Sequence, residues 1–219
     1  MAINVAIDGT AGSGKGTLAG LLAKKLGFFH LDTGAIYRSI AFFMLQNKVD
    51  INCEKEVVKS LKKINVEIKF DEKIKKQINL LGGVDLKNKI RTEKVSKASS
   101  VISQFKKIRN FATKIQRKLA KNNNIIIEGR DIGTVVLPKA KYKFYITASP
   151  QVRARRRVLQ LGLPESQHEQ VLLDIIERDN RDTERKNSPL KQAKDAIYID
   201  NSDLTVEETL EIICSYIKN

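Results

Sequence analysis

The order of apolar and polar residues along the chain predicts β-strands that alternate with α-helices. An apolar run at 3–7 ends in Asp8-Gly9, which is typical of a buried strand that meets a turn. The leucines after the next glycine-rich stretch recur at helical spacing up to Leu26, and Gly27 is a helix stop signal. The same pattern predicts strands at 28–31, 125–127, 142–147 and 197–200, and helices at 35–46, 92–103, 106–121, 151–160, 165–180 and 205–217. This alternation predicts an α/β fold, a doubly wound parallel sheet with helices on both faces.

Residues 51–89 follow a different pattern. The segments 66–70 and 76–80 alternate apolar and polar residues, and charged turns flank them. Such alternation predicts a small antiparallel sheet with one face exposed to water. We interpret 51–89 as an insertion that stands off the main body.

The glycine-rich segment 9–17 predicts a phosphate-binding loop. Glycines allow successive backbone N–H groups to face an anion, and the helix that follows adds the positive end of its dipole. Lys15 is placed to reach β- and γ-phosphate oxygens, and the Thr17 hydroxyl is placed near Mg²⁺. The residues expected to bind ATP are Gly9, Thr10, Ala11, Gly12, Ser13, Gly14, Lys15, Gly16 and Thr17. Nucleotide binding alone leaves GTPase, ATPase and kinase activity open.

Three further segments resemble the signatures of bacterial cytidylate kinases. Residues 32–38 read Asp-Thr-Gly-Ala-Ile-Tyr-Arg, residues 129–138 read Gly-Arg-Asp-Ile-Gly-Thr-Val-Val-Leu-Pro, and residues 178–182 read Arg-Asp-Asn-Arg-Asp. The resemblance runs from Ile7 to Ser202, and the loop form with Gly16 between Lys15 and Thr17 is similar to that of nucleoside monophosphate kinases. Thr10 departs from that family, which usually has proline there, and we expect it to cost some loop rigidity.

The resemblance implies a P-loop kinase with a doubly wound parallel sheet core, a small α+β NMP-binding insertion and a helical lid. It divides a single domain, 1–219, into a core at about 1–50 and 90–219, the insertion at about 51–89 and the lid at about 153–165. Lid arginines Arg153 and Arg157 are expected to contact ATP.

The resemblance also implies which residues bind the acceptor nucleotide. Phosphoryl transfer between two polyanions requires positive charge around both of them. The implied contacts are Arg38, Arg130, Arg185 and Thr33 to the acceptor phosphate, Arg178 and Asp182 to the sugar, and Tyr37 beside the pocket. Lys15, Arg130 and Arg185 are the expected catalytic residues.

Asp131, Arg109 and Ser100 fall where the family contacts cytosine. The base presents an amino donor at N4 and an acceptor at N3, whereas uracil reverses both groups. A carboxylate facing N4 and an arginine facing N3 therefore complement cytosine. Together with the phosphate loop, the resemblance therefore implies ATP-dependent phosphorylation of CMP or dCMP with Mg²⁺ as cofactor.

The charge of the chain raises a different function class. Lys and Arg number 40 against 25 Asp and Glu, a net charge of +15, which is compatible with nucleic-acid binding. Aromatic residues make up only 6% and do not interleave with the basic runs, so stacking platforms for bases are not expected. We expect no nucleic-acid partner, no membrane association and a monomer.

The cellular location follows from the lack of export features. Cys53 and Cys214 lie far apart and do not form a disulfide framework, and the N-terminus lacks the features of an export signal. We therefore expect a cytoplasmic protein.

Another small-molecule kinase on the same scaffold is the nearer alternative, for UMP, dTMP or shikimate. The Arg109 and Asp131 pair and the segment 129–138 count against it.

The phosphate-loop assignment makes a first testable prediction. If Lys15 stabilises the β- and γ-phosphates in the transition state, Lys15→Met should lower turnover by several orders of magnitude and leave the fold intact. Steady-state kinetics and circular dichroism measure the two effects. Near-normal turnover in the folded variant would contradict the assignment.

Overall fold

The computed structural model describes residues 2–73 and 75–217. Its strands are β1 (Asn4–Gly9), β2 (Phe29–Asp32), β3 (Val66–Asp71), β4 (Lys76–Leu81), β5 (Val84–Asp85), β6 (Ile125–Gly129), β7 (Tyr142–Thr147) and β8 (Ile197–Asp200). Its helices are α1 (Lys15–Leu26), α2 (Thr33–Gln46), α3 (Glu54–Ser60), α4 (Glu93–Ile102), α5 (Lys106–Asn122), α6 (Pro150–Leu161), α7 (His168–Glu184) and α8 (Val206–Tyr216). Short 3₁₀ helices at Leu61–Lys63, Lys87–Arg91 and Glu165–Gln167 and a π-helical turn at Ile132–Val136 complete the described chain.

The main sheet is parallel and has the strand order β2-β6-β1-β7-β8. Successive residues of its central strands enter two separate hydrophobic clusters. Ala6 packs with α2, α4 and α5 on one face, whereas Val5 and Ile7 pack with α1 and α8 on the other. Burial on both faces explains why these strands are continuously apolar in sequence. The predicted α/β, doubly wound fold is confirmed.

The insertion forms the antiparallel sheet β3-β4-β5. Contrary to the expectation that it stands off the main body, Val66 and Ile68 are buried in the same cluster as Leu31 and Ile36. Phe70 also stacks on Phe29 with ring centroids 4.5 Å apart. The apolar side of the alternating pattern is therefore covered by the core.

The carboxyl ends of β1, β2, β6 and β7 lie at one edge of the sheet, where ligands bind in open α/β folds. Gly9 ends β1 with φ 145°, and a Cβ at that position would lie 1.8 Å from the carbonyl oxygen of Ile146. Only glycine therefore lets β1 turn into the phosphate loop this close to β7.

Within the described residues, every helix is too short or too polar to span a lipid bilayer.

Two neighbouring leucines on α1 test where the core lies. Leu22 is fully buried, whereas Leu21 is 39% exposed. Leu22→Ala should lower the free energy of unfolding by about 2–5 kcal/mol because it leaves a cavity. Leu21→Ala, which makes the same change in helix propensity, should lower it by less than about 1 kcal/mol. Urea unfolding measures both, and equal losses would contradict this packing.

Candidate active site

The phosphate loop is held open for an anion by left-handed glycines. Gly12 and Gly14 have φ values of 76° and 83°. The Lys15 side chain is buried, and its Nζ donates to the carbonyl oxygen of Thr10 at 2.5 Å and lies 3.3 Å from Ser13 Oγ. The ammonium group thus folds back across the loop opening.

Both departures of the loop from common motifs have a structural reason. Thr10 Oγ1 lies 3.2 Å from Thr147 Oγ1, and this hydroxyl pair ties the loop to the end of β7. This contact restrains the loop and so compensates for the rigidity that a proline at position 10 would supply. A Cβ at Gly16 would lie 2.8 Å from Glu128 Oε1, so a serine or threonine there would require the Glu128 carboxylate to move.

Arg153 braces the loop from α6. Its Nη1 donates to the carbonyl oxygen of Ala11 at 2.9 Å and lies 2.6 Å from Asp179 Oδ2. The side chain is buried, which differs from the free lid arginine expected from the sequence. Arg157 instead donates to Gln160 on the same helix.

Asp182 on α7 joins the arginines of the acceptor region. Its Oδ2 accepts from Arg130 Nε at 2.8 Å, and its Oδ1 accepts from Arg185 Nη1 at 3.3 Å. Arg178, one turn earlier on α7, lies close enough to influence the pKa of the same carboxylate. Arg130 of the segment 129–138 and Asp182 of the segment 178–182 are therefore in direct contact.

Arg38 and Thr33 lie at the start of α2. Arg38 Nη2 donates to Asp32 Oδ2 at 2.6 Å. Thr33 Oγ1 donates to the carbonyl oxygen of Glu128 in β6 at 2.7 Å, so this hydroxyl group already uses its one proton in a hydrogen bond. Gln77 of the insertion also contacts the site, because its Oε1 accepts from the Asp32 backbone N–H at 2.7 Å.

The predicted base-reading residues form a buried ion pair. Arg109 Nη2 lies 2.6 Å from Asp131 Oδ2, and the two side chains are only 5% and 6% exposed. The Arg109 guanidinium lies 5.5 Å from the ring centroid of Tyr37 and donates to the carbonyl oxygen of Ser103. Ser100 is buried one turn before Ser103 on α4.

Buried polar atoms without a hydrogen-bond partner are concentrated in this region. Such atoms are costly unless a ligand or water satisfies them. Five donor atoms without a partner in the described chain belong to predicted acceptor-binding residues, namely the Nε atoms of Arg38, Arg109 and Arg178, Nη2 of Arg185 and Oγ of Ser100. The site is therefore built for a ligand that offers several acceptors.

Comparison with known proteins gives the family. The family model described as Cytidylate kinase matches residues 5–219. The chain belongs to the cytidylate kinase family. The cytidylate kinase of Fusobacterium nucleatum is 41% identical over 99% of this chain and 97% of its own length. That of Thermosipho melanesiensis is 43% identical over 100% and 98%, and that of Caldicellulosiruptor saccharolyticus is 44% identical over 95% and 92%.

Similarity to solved structures concerns the fold alone. A shikimate kinase from Bacteroides thetaiotaomicron has a TM-score of 0.51 at 12% identity, covering 97% of each chain. An uncharacterized protein from Eubacterium ventriosum has a TM-score of 0.52 at 14% identity, covering 98% of each chain. Both share the α/β fold of this cytidylate kinase family member.

Several buried, positively charged side chains lie close enough in the site to shift one another's pKa values. Burial, assisted by Arg130, lowers the pKa of Lys15 to about 7. Burial and Arg130 likewise lower the pKa of Arg178 to about 10. Burial would raise the pKa of Asp182, but Arg130, Arg178 and Arg185 outweigh it and hold that pKa below its usual value. A bound polyanion would relieve this repulsion.

Sequence reasoning missed several residues that hold this site together. Asp8 accepts hydrogen bonds from residues 132 and 133, and Asp179 accepts from the Ala11 backbone N–H. Asn201 donates to the carbonyl oxygen of Ser13 and accepts from Arg156. The position of Asp8, at the end of a predicted strand just before the glycine-rich loop, was the only available signal.

The lowered pKa of Lys15 predicts that this residue reduces stability. Below about pH 7 the folded chain bears the full cost of burying the ammonium group, and above the ordinary pKa of 10.5 the cost vanishes. Without nucleotide or phosphate, Lys15→Met should therefore be more stable than the parent at pH 6. Its advantage should shrink as the pH rises from 7 towards 10.

Urea unfolding at pH 6 and pH 9 measures this difference. Lys24→Met, on the exposed face of the same helix, is the matched control and should differ from the parent equally at both pH values. A Lys15→Met advantage that is absent at pH 6, or that grows with pH, would contradict the burial cost.

Proposed function

We propose that the chain transfers the γ-phosphoryl group of ATP to CMP or dCMP and forms CDP or dCDP and ADP. The buried Arg109 and Asp131 ion pair carries this proposal, because it offers a donor and an acceptor side by side. Cytidylate kinase is also the name of each relative reported above.

Base recognition follows from the pairing of these two groups. Asp131 would accept from the cytosine N4 amino group, while Arg109 would donate to N3 and Ser100 would add its free hydroxyl. Uracil would place O4 against the carboxylate and an N–H against the guanidinium. A buried site that leaves such groups unpaired discriminates strongly.

The phosphates would lie between the loop and the arginines joined by Asp182. Lys15 would contact the β- and γ-phosphates, and Arg130 and Arg185 would stabilise the charge that develops on the transferred group. Thr33 and Arg38 would contact the acceptor phosphate, and Arg178 and Asp182 the sugar. Arg157, and the loop braced by Arg153, would contribute on the ATP side.

The residues present fit a magnesium ion that arrives with ATP. Thr17 is exposed on the first turn of α1, where its hydroxyl is free to face a ligand at the loop. Among the described residues, no three His, Cys, Asp or Glu side chains group as a protein-only metal site. Mg²⁺ is usually held by one or two protein oxygens, waters and substrate phosphates. When bound there, it would neutralise phosphate charge while Lys15 orients the same phosphates.

The remaining expectations belong to the same proposal. We expect a cytoplasmic monomer that acts on free nucleotides and has no nucleic-acid or membrane partner. Its lysines are dispersed, whereas its buried arginines are engaged in the site. UMP, dTMP or shikimate as acceptor would remain the alternative if cytosine reading failed.

Base choice provides the test of this proposal. Asp131→Ala removes a charged hydrogen bond, which costs on the order of 1.5–3 kcal/mol. We expect kcat/KM for CMP to fall at least about tenfold, the KM for ATP to change little and discrimination against UMP to narrow. Coupled assays with CMP, dCMP, UMP, AMP and dTMP measure these quantities.

Asp174→Ala is the matched control, since this carboxylate on α7 contacts the exposed Lys97 and accepts from Gln170 on the same helix, away from the predicted site residues. It should leave every constant near the parent value. If Asp131 merely orients Arg130, CMP and UMP activities should fall together, and that unchanged ratio would reject base reading by Asp131.

A further inference from the structure

Asp8 has an unusual pair of partners at the end of β1. Its side chain is buried, and the residue is only 3% exposed. Oδ1 accepts from the backbone N–H of Ile132, and Oδ2 accepts from that of Gly133, each at 2.7 Å. One carboxylate thus binds two successive backbone donors that lie 124 and 125 residues away in sequence.

These donors open the π-helical turn that follows the base-reading residue. The first N–H groups of any helical turn lack partners within it. Asp131 precedes the turn, and its own carbonyl oxygen accepts from the N–H groups of Val135 and Val136 at 2.9 and 3.1 Å. The turn has no side-chain cap of its own. Asp8 therefore supplies the cap from another element and fixes the backbone next to Asp131.

The backbone of Asp8 is constrained as firmly as its side chain. Its backbone pairs with Gly129 of β6 and Tyr145 of β7 in the middle of the parallel sheet. Gly9 follows directly and begins the phosphate loop at its close approach to Ile146. Asp8 is thus attached to the ATP loop by the chain and to the base-reading turn by two hydrogen bonds.

We propose that Asp8 is a positioning residue for base selection, which places the Asp131 carboxylate relative to the phosphate loop. This inference rests on the proposed function, since it concerns the choice of cytosine as acceptor base. Both oxygens of the Asp8 carboxylate are engaged by the turn backbone, so the proposal gives this residue no direct contact with the nucleotides. It acts through the backbone of residues 131–133.

The charges around Asp8 give the link a pH dependence. Burial raises the pKa of Asp8 to about 6, the backbone N–H groups of Gly133 and Ile132 oppose this, Asp131 adds to it and Lys15 opposes it. Lys143 of β7 also packs against Gly133, but its ammonium is paired with Asp195. As the pH falls through about 6, Asp8 gains a proton and loses the capacity to accept both hydrogen bonds equally.

The raised pKa also argues against a purely stabilising role. Because the folded pKa lies above the ordinary value of 3.8, stability falls as the pH rises from about 4 to 6, and the ionised carboxylate reduces stability at neutral pH. A charge that is unfavourable to the fold and yet binds the turn beside Asp131 is the pattern expected of a residue that serves the site.

Asp8→Asn tests the inference in the full-length enzyme with ATP, CMP and UMP at pH 7.5. The amide can accept only one of the two hydrogen bonds and turns a donor towards the other N–H. We expect kcat/KM for CMP to fall about tenfold or more, the ratio of CMP to UMP to fall at least about fivefold and the KM for ATP to stay within about twofold.

Asp195→Asn is the matched control, because it removes a carboxylate from the Lys143 pair beside the same turn without touching the turn backbone. Its CMP-to-UMP ratio should equal that of the parent. A ratio unchanged in Asp8→Asn, with CMP and UMP activities lowered together, would overturn the inference. A parent enzyme that does not phosphorylate CMP would instead overturn the proposed function.

A pH series of the parent enzyme decides the matter even if Asp8→Asn does not fold. The ratio of kcat/KM for CMP to that for UMP cancels the ionisation of the phosphate, which both substrates share. We expect this ratio to fall as the pH drops from 8 to 5.5, with a midpoint near 6, and to be flat in Asp8→Asn. A flat ratio in the parent, or the same midpoint in the variant, would overturn the inference.

Discussion

The proposed acceptor site depends on the carboxylate of Asp182, which counteracts the mutual repulsion of three neighbouring arginines. Arg130, Arg178 and Arg185 are brought together away from bulk water, where like charges repel strongly. Asp182 binds two of them directly and is itself almost fully buried. The balance is incomplete, because Arg178 and Lys15 still have lowered pKa values. The buried positive charge is therefore unfavourable by itself, and a polyanionic ligand bound there, as proposed, would relieve it.

Much of the fold could be predicted from sequence because both faces of the main sheet are buried. A continuous, β-branched apolar run such as 125–127, placed between predicted helices, favours a central strand of a parallel sheet. The phosphate loop could also be predicted from the sequence, since a backbone that binds phosphate requires glycines at fixed spacing. The π-helical turn had no local signal, because the carboxylate that supports it lies 124 residues earlier in the sequence.

The same limit applies within the site. Arg109 and Asp131 were expected together, and they are paired at 2.6 Å. Arg153, by contrast, was expected to contact ATP from the lid, and only the tertiary structure brings Ala11 and Asp179 to it. The insertion illustrates the reverse error. Its half-polar strands suggested separation, but their apolar side chains complete the core around α2.

The hydroxyl pair between Thr10 and Thr147 has an evolutionary consequence. Its value depends on both partners, so losing either hydroxyl leaves the other without its role. A proline at position 10 would stiffen the loop by itself and release position 147 from any need for a hydroxyl. Substitutions at these two positions are therefore epistatic, and the order in which a lineage acquires them decides whether its intermediates keep a rigid loop.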